Sequence, residues 1–306
     1  TIKQHGQGWS GNVNLNYSQG HWAKANQQVN LNYRTGGLDL FSRISVFEDN
    51  RYGKTTEIIR INGTDQWDIT INDTQTGKNR NLNLEAGFNY EVNENHSFGM
   101  RYQPTKSLKD YTTRSWGENI ASCNGAEADW MEFNQSTQGK FGWDHSVNAY
   151  YAGIIGKWKI DFDADYLNNR EAENQIAEDE SRQDIHSHTN SSSKLYAAKL
   201  QASISLGKGK LSFGSEGTLT ERIATFTQSG YSADADDLIK QKSLAGFANY
   251  AISFGKWKAN AGVRYEHRKT DYYDEGIRIA QQSPTYNDFI PTASLSWADN
   301  GFSLSL

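Results

Sequence analysis

Residues 81–92 read NLNLEAGFNYEV and carry the clearest pattern in the chain. Every second residue from Leu82 to Val92 is apolar, whereas the residues between them are Asn, Glu or Gly. Successive side chains of a β-strand point to opposite faces of the sheet, so this alternation predicts a strand with one apolar and one polar face.

The same period of two recurs along the whole chain. It is clearest in the segments 13–17, 29–33, 67–71, 98–102, 158–166, 211–217, 257–265, 293–297 and 302–306. No segment of about ten residues or more has the 3.6-residue period of an amphipathic helix. The sequence therefore predicts an all-β chain of about fourteen or fifteen strands.

The composition suggests where the apolar side chains go. The 306 residues are 36% hydrophobic and 12% aromatic, with a formal net charge of -5. The mean hydropathy of -0.79 is low for a chain with a thick core. Disordered chains, in contrast, are poor in aromatic residues and rich in net charge. We therefore expect a folded chain whose apolar groups are spread over a surface.

Several classes of protein are excluded by the sequence. No apolar run is long enough for a transmembrane helix, and no apolar segment near Thr1 indicates a signal peptide. The single Cys123 cannot form an intramolecular disulfide, and we expect an inert thiol there. An isoelectric point near 5.8 without a long basic block argues against a nucleic-acid partner. Nucleophile-elbow, P-loop, zinc-protease and dinucleotide-binding motifs are absent, so we expect no enzyme and no cofactor.

The connections between the predicted strands alternate in length. Short turns are predicted at 93–95, 156–157, 207–210, 255–256 and 299–301, and long polar stretches at 103–145, 167–194, 221–242 and 267–288. Short periplasmic turns and long extracellular loops are typical of an antiparallel up-and-down transmembrane β-barrel. We predict one such domain over residues 1–306, forming either a closed barrel or an incomplete wall, in the outer membrane.

An alternating sheet can also belong to a soluble sandwich, in which the apolar faces form a core. Three features indicate that the apolar face contacts lipid and not a second sheet. Many strands exceed the roughly ten residues that cross a bilayer at a tilt. The polar faces are unusually charged. Tyrosine and tryptophan recur at strand ends, where aromatic girdles would stand: Tyr17, Tyr33, Tyr90, Tyr102, Trp158, Tyr166, Trp257, Tyr265 and Trp297.

Four motifs resemble the β-barrel of TonB-dependent outer-membrane receptors, in particular the Bacteroidetes-type barrel family. They are GVRYE at 262–266 after the turn FGKW at 254–257, FIPTASLSW at 289–297, GNVNLNY at 11–17 and NLNYR at 30–34. The resemblance covers essentially the whole chain, but residues 1–306 hold neither a TonB box nor a plug domain. It implies a barrel fragment whose parent takes up a small nutrient, with energy relayed from the TonB system through the missing plug domain.

Two groups of residues are candidates for ligand binding. Asp161, Asp163 and Asp165 share one strand face, at about 7 Å per step. They predict either a lumenal cation or sugar-hydroxyl site, or an acidic wall balanced by Lys or Arg. The stretch 103–145 is rich in aromatic rings, among them Tyr111, Trp116, Trp130, Phe133, Phe141 and Trp143. These rings either contact a sugar or peptide ligand, or pack the stretch onto its neighbours.

The acidic stretches 171–188 and 234–237 could supply oxygen ligands, and His186 and His188 could bind a transition metal. Their spacing matches no dedicated metal site, so a solvated stretch is the favoured interpretation and no metal is predicted.

The leading hypothesis is a TonB-dependent receptor barrel that binds and takes up a glycan, peptide or metal chelate, with outer-membrane lipid as its surroundings. The alternatives are a soluble all-β glycan-binding module or lipoprotein, and a glycan-degrading β enzyme.

Overall fold

The computed structural model describes residues 6–179, 182–230, 232–299 and 302–305. Within these ranges the chain forms fifteen β-strands and one 3-10 turn at Ala280–Gln282. The strands are β1 (Gly8–Gln19), β2 (Ala23–Thr35), β3 (Leu38–Asn62), β4 (Gln66–Asn93), β5 (His96–Cys123), β6 (Ala126–Phe141), β7 (Trp143–Ile155), β8 (Trp158–Asp179), β9 (Arg182–Leu206), β10 (Gly209–Gln228), β11 (Ala235–Phe254), β12 (Trp257–Asp274), β13 (Ile277–Arg278), β14 (Thr285–Asp299) and β15 (Phe302–Ser305). The predicted all-β architecture and strand number are confirmed.

All the strands belong to one antiparallel sheet, in which successive strands pair except that β6 does not pair with β7, and β14 pairs with β12 instead of with the short β13. The strands β6 and β7 together act as one long strand interrupted at Gly142. Residues 111–123 of β5 pair with β6, and residues 96–106 of β5 pair with β7. On their other side, β6 and β7 both pair with β8. This is the predicted up-and-down meander. Among the described residues, β1 pairs only with β2, and β15 pairs only with β14.

The short turns predicted from the sequence lie at one end of the sheet, and the longer strands also close in short turns at the far end, at residues 20–22, 63–65, 124–125 and 275–276. The turns predicted at 93–95, 156–157, 207–210 and 255–256 are found at residues 94–95, 156–157, 207–208 and 255–256, and a further one lies at residues 36–37. Gly156, Gly207 and Gly255 have φ values of 62°, 60° and 59°. Side chains other than Asn and Asp rarely adopt this left-handed conformation, which explains the glycine at each turn. The predicted turn at 299–301 includes residues 300 and 301, which lie outside the described part of the chain.

The long polar stretches differ from the expected irregular loops because most of their residues continue the strands. The strand β4 has 28 residues and β5 also has 28, and they stay paired to their far end at Trp67 and Cys123. Over residues 103–115 of β5 both faces are mostly polar, so the sequence there lacks the apolar alternation that signals a strand, whereas residues 67–71 of β4 keep it. Cross-strand hydrogen bonds nevertheless satisfy the backbone.

The apolar alternate residues remain exposed in the structure. Among the described residues, Ala245 is the one buried hydrophobic side chain, at 2% exposure. One face of the sheet carries a continuous row of exposed apolar residues, here called the apolar belt. Its exposed members include Val13, Leu15, Leu31, Ile44, Met100, Phe162, Leu200, Phe213, Leu244, Phe289 and Leu295. The sheet thus has no thick core, in agreement with the composition.

The apolar belt has aromatic residues at both ends. Near the short turns, Trp257 lies opposite both Phe254 and Trp297. At the other end of the belt, the ring centroids of Tyr166 and Tyr196 are 5.0 Å apart. Aromatic girdles of this kind stand at the two interfaces of a membrane, so the belt between them is the lipid-facing surface.

Candidate lumenal binding surface

The three predicted aspartates lie on the face opposite the apolar belt. Cross-strand pairing places Asp163 between Tyr150 of β7 and Lys199 of β9. The Lys159 Nζ atom is 3.1 Å from Asp161 Oδ1. Asn148 Nδ2 donates a hydrogen bond of 2.8 Å to Asp165. The carboxylates therefore lie in a wall that supplies cations and amide donors. This arrangement fits the interpretation of the row as an acidic wall balanced by Lys or Arg.

A network of alternating charge continues from this row across β9 to β12. Lys199 lies opposite Asp163 on one side and Glu216 on the other. The Arg264 guanidinium is 3.3 Å from Glu216 and 3.1 Å from Glu266. The inward face therefore carries fixed charges of both signs at one height of the wall, which suits a hydrated lumen.

The contact between Arg264 and Glu216 crosses an intervening strand. The residue of β11 that lies opposite both Glu216 and Glu266 is Ala245. Its methyl group is small enough for the guanidinium and the carboxylate to meet over it, which explains why Ala245 is buried beneath charged groups.

A second polar cluster lies on the inward face of β2 to β5. Arg43 is 3.5 Å from Glu85 and donates a hydrogen bond of 2.9 Å to Asn30. Gln103 donates a further hydrogen bond of 2.7 Å to the same Glu85 carboxylate. This cluster faces a cavity of about 710 Å³ that is also lined by Leu167, Ser193 and Thr220 of the opposite strands. The two walls thus enclose a common polar space.

A larger cavity of about 980 Å³ lies beyond the apolar belt, at the end of the sheet away from the short turns. It is lined by the tip of the β1–β2 hairpin and by the strand extensions of β3 to β6. His21 stacks on Tyr52 with ring centroids 3.9 Å apart, and Lys78 lies 5.3 Å from the Trp22 ring. Tyr111, one of the predicted ligand-contacting rings, lines the same cavity.

A buried carboxylate anchors this second cavity. Asp49 is 6% exposed and forms an ion pair of 2.8 Å with Lys24. It also pairs with Arg51, which lines the cavity. The hydrogen bond from Lys24, together with that from Arg51, holds the pKa of Asp49 below its usual value, although burial acts in the opposite direction.

The other predicted aromatic residues do not converge on the 980 Å³ cavity. Trp116 lines a separate cavity of about 750 Å³, where its ring lies 5.4 Å from Arg114. Trp130 donates a hydrogen bond of 3.2 Å to Glu118. Trp143 is on the outward face, with Lys106 at 5.4 Å from its ring. Residues 103–145 thus bring Tyr111 and Trp116 to two different cavities.

The acidic stretches contribute to strand pairing. His188 Nδ1 is 2.6 Å from the Asn174 side-chain oxygen, and Tyr272 donates a hydrogen bond to Asp237. Glu180 lies outside the described residues, as does the side chain of Phe141. In the part of the chain that the structure describes, no group of three or more His, Cys, Asp or Glu side chains is placed to hold a metal ion.

Sequence reasoning missed the charge network around Arg264 and the aromatic cluster of His21, Trp22 and Tyr52. The charges could have been found as polar alternate residues on strands assigned at 211–217 and 257–265. The aromatic cluster lacked such a signal, because the hairpin tip and β3 are far apart in sequence.

The C-terminal part of the chain, residues 156–306, matches the model of the outer membrane protein beta-barrel family. None of the curated proteins matches the chain. Among the described residues, no helix is long and apolar enough to cross a membrane.

Solved structures similar to this chain include other outer-membrane proteins. OmpT of Vibrio cholerae is 10% identical over 94% of this chain and 99% of its own, with a TM-score of 0.28. The translocator domain of the autotransporter NalP from Neisseria meningitidis is 14% identical over 87% of this chain and 79% of its own, with a TM-score of 0.32. The ferric yersiniabactin uptake receptor FyuA from Yersinia pestis is 9% identical over 96% of this chain and 66% of its own, with a TM-score of 0.31.

Identities and TM-scores this low have no bearing on what the chain binds. The family match agrees with the lipid-facing apolar belt and the single antiparallel meander. Together they identify the chain as an up-and-down β-barrel protein of the outer membrane.

Proposed function

We propose that this chain is the barrel of a TonB-dependent receptor, which binds a small nutrient and takes it up without covalent chemistry. The observation that carries the proposal is the polar cavity of about 710 Å³ between the Arg43–Glu85 cluster and the opposite strands. Uptake of a polar solute requires a hydrated path of this kind, lined by fixed donors and charges.

The charge pattern supports transport of a solute rich in hydrogen-bonding groups. The Arg264 network offers both signs of charge within one wall, and the 980 Å³ cavity adds aromatic rings at the outer end. A glycan, a peptide or a metal chelate each combines polar groups with surfaces that stack on rings. In this proposal, energy reaches the barrel through a plug domain that contacts TonB.

The soluble glycan-binding module fits the structure less well. Such a module would bury its apolar faces, whereas Leu15 is 73% exposed and Leu244 is 63% exposed. A passive channel is the stronger competitor, because a polar lumen serves it equally well. Dependence on TonB separates the two.

The test uses the full-length gene in a Gram-negative host that lacks its own copy. Growth is measured with an oligosaccharide, an oligopeptide or a ferric chelate as the limiting nutrient, with and without TonB. We expect growth on one nutrient class that is lost without TonB and reduced by the double variant Arg43→Gln/Glu85→Gln. The control Arg60→Gln changes an exposed side chain at the far end of β3 and is expected to grow as wild type. Growth that persists without TonB would identify a passive channel instead.

A further inference from the structure

We infer that the outward face of β6, β8 and β9 binds the phosphorylated sugar headgroup of an outer-leaflet glycolipid. The site lies immediately beyond the apolar belt, on the side away from the lumen and from the nutrient path. It is therefore independent of the proposed receptor function.

The first observation is a diagonal of three cations on three strands. Cross-strand pairing sets Lys140 opposite Ala172, Ser192 opposite Arg170, and Lys194 opposite Asn168. Lys140, Arg170 and Lys194 are thus successive diagonal neighbours, and such neighbours in an antiparallel sheet are about 7–8 Å apart. All three share the face of the apolar belt, because Arg170 and Lys194 stand at even spacing from Tyr166 and Tyr196 on the same strands, and Lys140 lies opposite Ala172 on the same face of β8.

The second observation is a concavity at this point of the outward face. It has a volume of about 430 Å³, and Lys140 and Arg170 line it together with Asn190, Ser192 and Thr225. Gly142, where β6 gives way to β7, also lines the concavity and donates a backbone hydrogen bond of 3.0 Å to the Arg170 carbonyl of β8. Cations next to amide and hydroxyl groups suit a phosphate attached to a sugar.

The third observation is that these cations are not neutralised by their own surroundings. Among the described residues, neither Lys140 nor Arg170 forms an ion pair. Three carboxylates lie close to the cations. Glu171 lines the concavity, and Asp144, which lines the lumenal cavity, accepts a hydrogen bond of 3.4 Å from the Arg170 backbone N–H. Glu221 lies opposite Lys194 but forms an ion pair of 3.6 Å with Lys240. Among the outward side chains the balance is therefore positive, and one further cation, Lys106, lies over the Trp143 ring next to Gly142.

The position relative to the membrane selects the ligand. The short turns are periplasmic, so the far end of the apolar belt marks the outer leaflet. A lipid whose acyl chains lie against Tyr166, Tyr196 and Leu219 would hold its headgroup at the height of Arg170 and Lys194. Basic pockets at this level of a membrane protein bind anionic headgroups. A free phosphate ion would contact the cations but would have no acyl chains to pack against the apolar belt.

The experiment measures lipid retention by the full-length protein in detergent, using native mass spectrometry. The probes are lipid A with two phosphates, the same lipid after enzymatic removal of its phosphates, and inorganic phosphate. We expect the diphosphorylated lipid to bind most tightly, and the triple variant Lys140→Gln/Arg170→Gln/Lys194→Gln to bind it about a hundredfold more weakly, from the roughly fivefold effect per cation near a membrane surface.

Two control variants separate the site from general effects. Lys157→Gln/Lys208→Gln removes two cations at the periplasmic turns and should bind lipid as wild type. The charge-preserving variant Lys140→Arg/Arg170→Lys should retain binding within a few fold. Each variant is first checked for a strand-rich circular dichroism spectrum, which exposed substitutions should leave unchanged.

Equal binding of the lipid by wild type and by the triple variant would overturn the inference, as would undiminished binding of the dephosphorylated lipid. Competition by inorganic phosphate at millimolar concentration, with no preference for the lipid, would also overturn it, because the site would then recognise phosphate alone.

Discussion

At the scale of single residues, Asp49 is a carboxylate whose ionisation stabilises the fold beyond the apolar belt. On β3 the outward apolar row ends at Val46, so Asp49 is outside the membrane-spanning part. Lys24 and Arg51 hold its pKa below the usual value. A carboxyl whose folded pKa is depressed stabilises the fold above its unfolded pKa, and this contribution is lost as the pH falls through the folded pKa.

We therefore expect Asp49→Asn to unfold more easily than wild type at pH 7, by about 1–3 kcal/mol for a hydrogen-bonded charged group. The difference should shrink below an unfolded pKa of about 3.9 and disappear once both states are protonated. Urea unfolding in detergent at pH 7 and pH 3 measures it. Glu57→Gln, an exposed residue further along β3, serves as the control and should show no such pH dependence.

Arg264 is the residue on which the inward charge network depends. Its guanidinium contacts both Glu216 and Glu266, and its side chain is 29% exposed. Removing the Arg264 side chain leaves Glu216 and Glu266 close together without a cation. An exposed ion pair such as Arg60 with Asp68 contributes little to the free energy of unfolding.

We expect Arg264→Ala to destabilise the protein by about 1–3 kcal/mol in urea unfolding, and Arg60→Ala by less than about 0.5 kcal/mol. The double variant Arg264→Ala/Glu216→Gln should recover part of the loss, since it removes one of the unpaired charges. Equal stability of Arg264→Ala and wild type would show that water replaces the guanidinium without cost.

At the scale of elements, the strand extensions depend on close backbone contact between β4 and β5. Gly117 lies opposite Asp73, and a Cβ atom at position 117 would overlap the carbonyl oxygen of Asn72. A backbone atom cannot move aside as a flexible side chain can, so alanine here must separate the two strands.

We predict that Gly117→Ala weakens the β4–β5 extension by about 1–3 kcal/mol, the usual cost of overpacking. Hydrogen exchange should become faster for the amides of residues 67–76 and 113–123 and stay unchanged near the short turns. Gly246→Ala is the matched control, because nothing lies within 4 Å of a Cβ atom there. Faster exchange in both variants would point to a general loss of stability.

At the scale of the whole molecule, the two faces of the sheet meet different surroundings. Leu200 and Gln201 are neighbours on β9, with Leu200 opposite Phe162 in the apolar belt and Gln201 opposite Asp161 on the inward face. A charge in the middle of the lipid-facing surface costs about 2–4 kcal/mol, whereas a charge in a hydrated lumen costs much less.

Leu200→Arg should therefore lower the free energy of unfolding in lipid vesicles by about 2–4 kcal/mol, and Gln201→Arg by less than about 1 kcal/mol. Tryptophan fluorescence during urea titration provides the measurement. The opposite ranking would mean that the inward face is the one shielded from water.

The fold class, the alternation of faces and the four short turns next to the apolar belt follow from the sequence alone. These are local properties, since a period of two and a glycine with positive φ act within a few residues. It also placed Asp161, Asp163 and Asp165 on one wall. It did not reveal that most of the residues in 103–145 continue as paired strands, because polar extensions carry no apolar period.

Which residues meet across the sheet depends on the tertiary structure. Arg264 reaches Glu216 because β11 places the small Ala245 between them, and Lys140, Arg170 and Lys194 align because of the register of three strands. The curl of the sheet likewise sets Glu85 and Thr220 on one cavity although they are far apart in sequence. Register and curvature come from long-range pairing, so single strands cannot encode these sites by their own pattern.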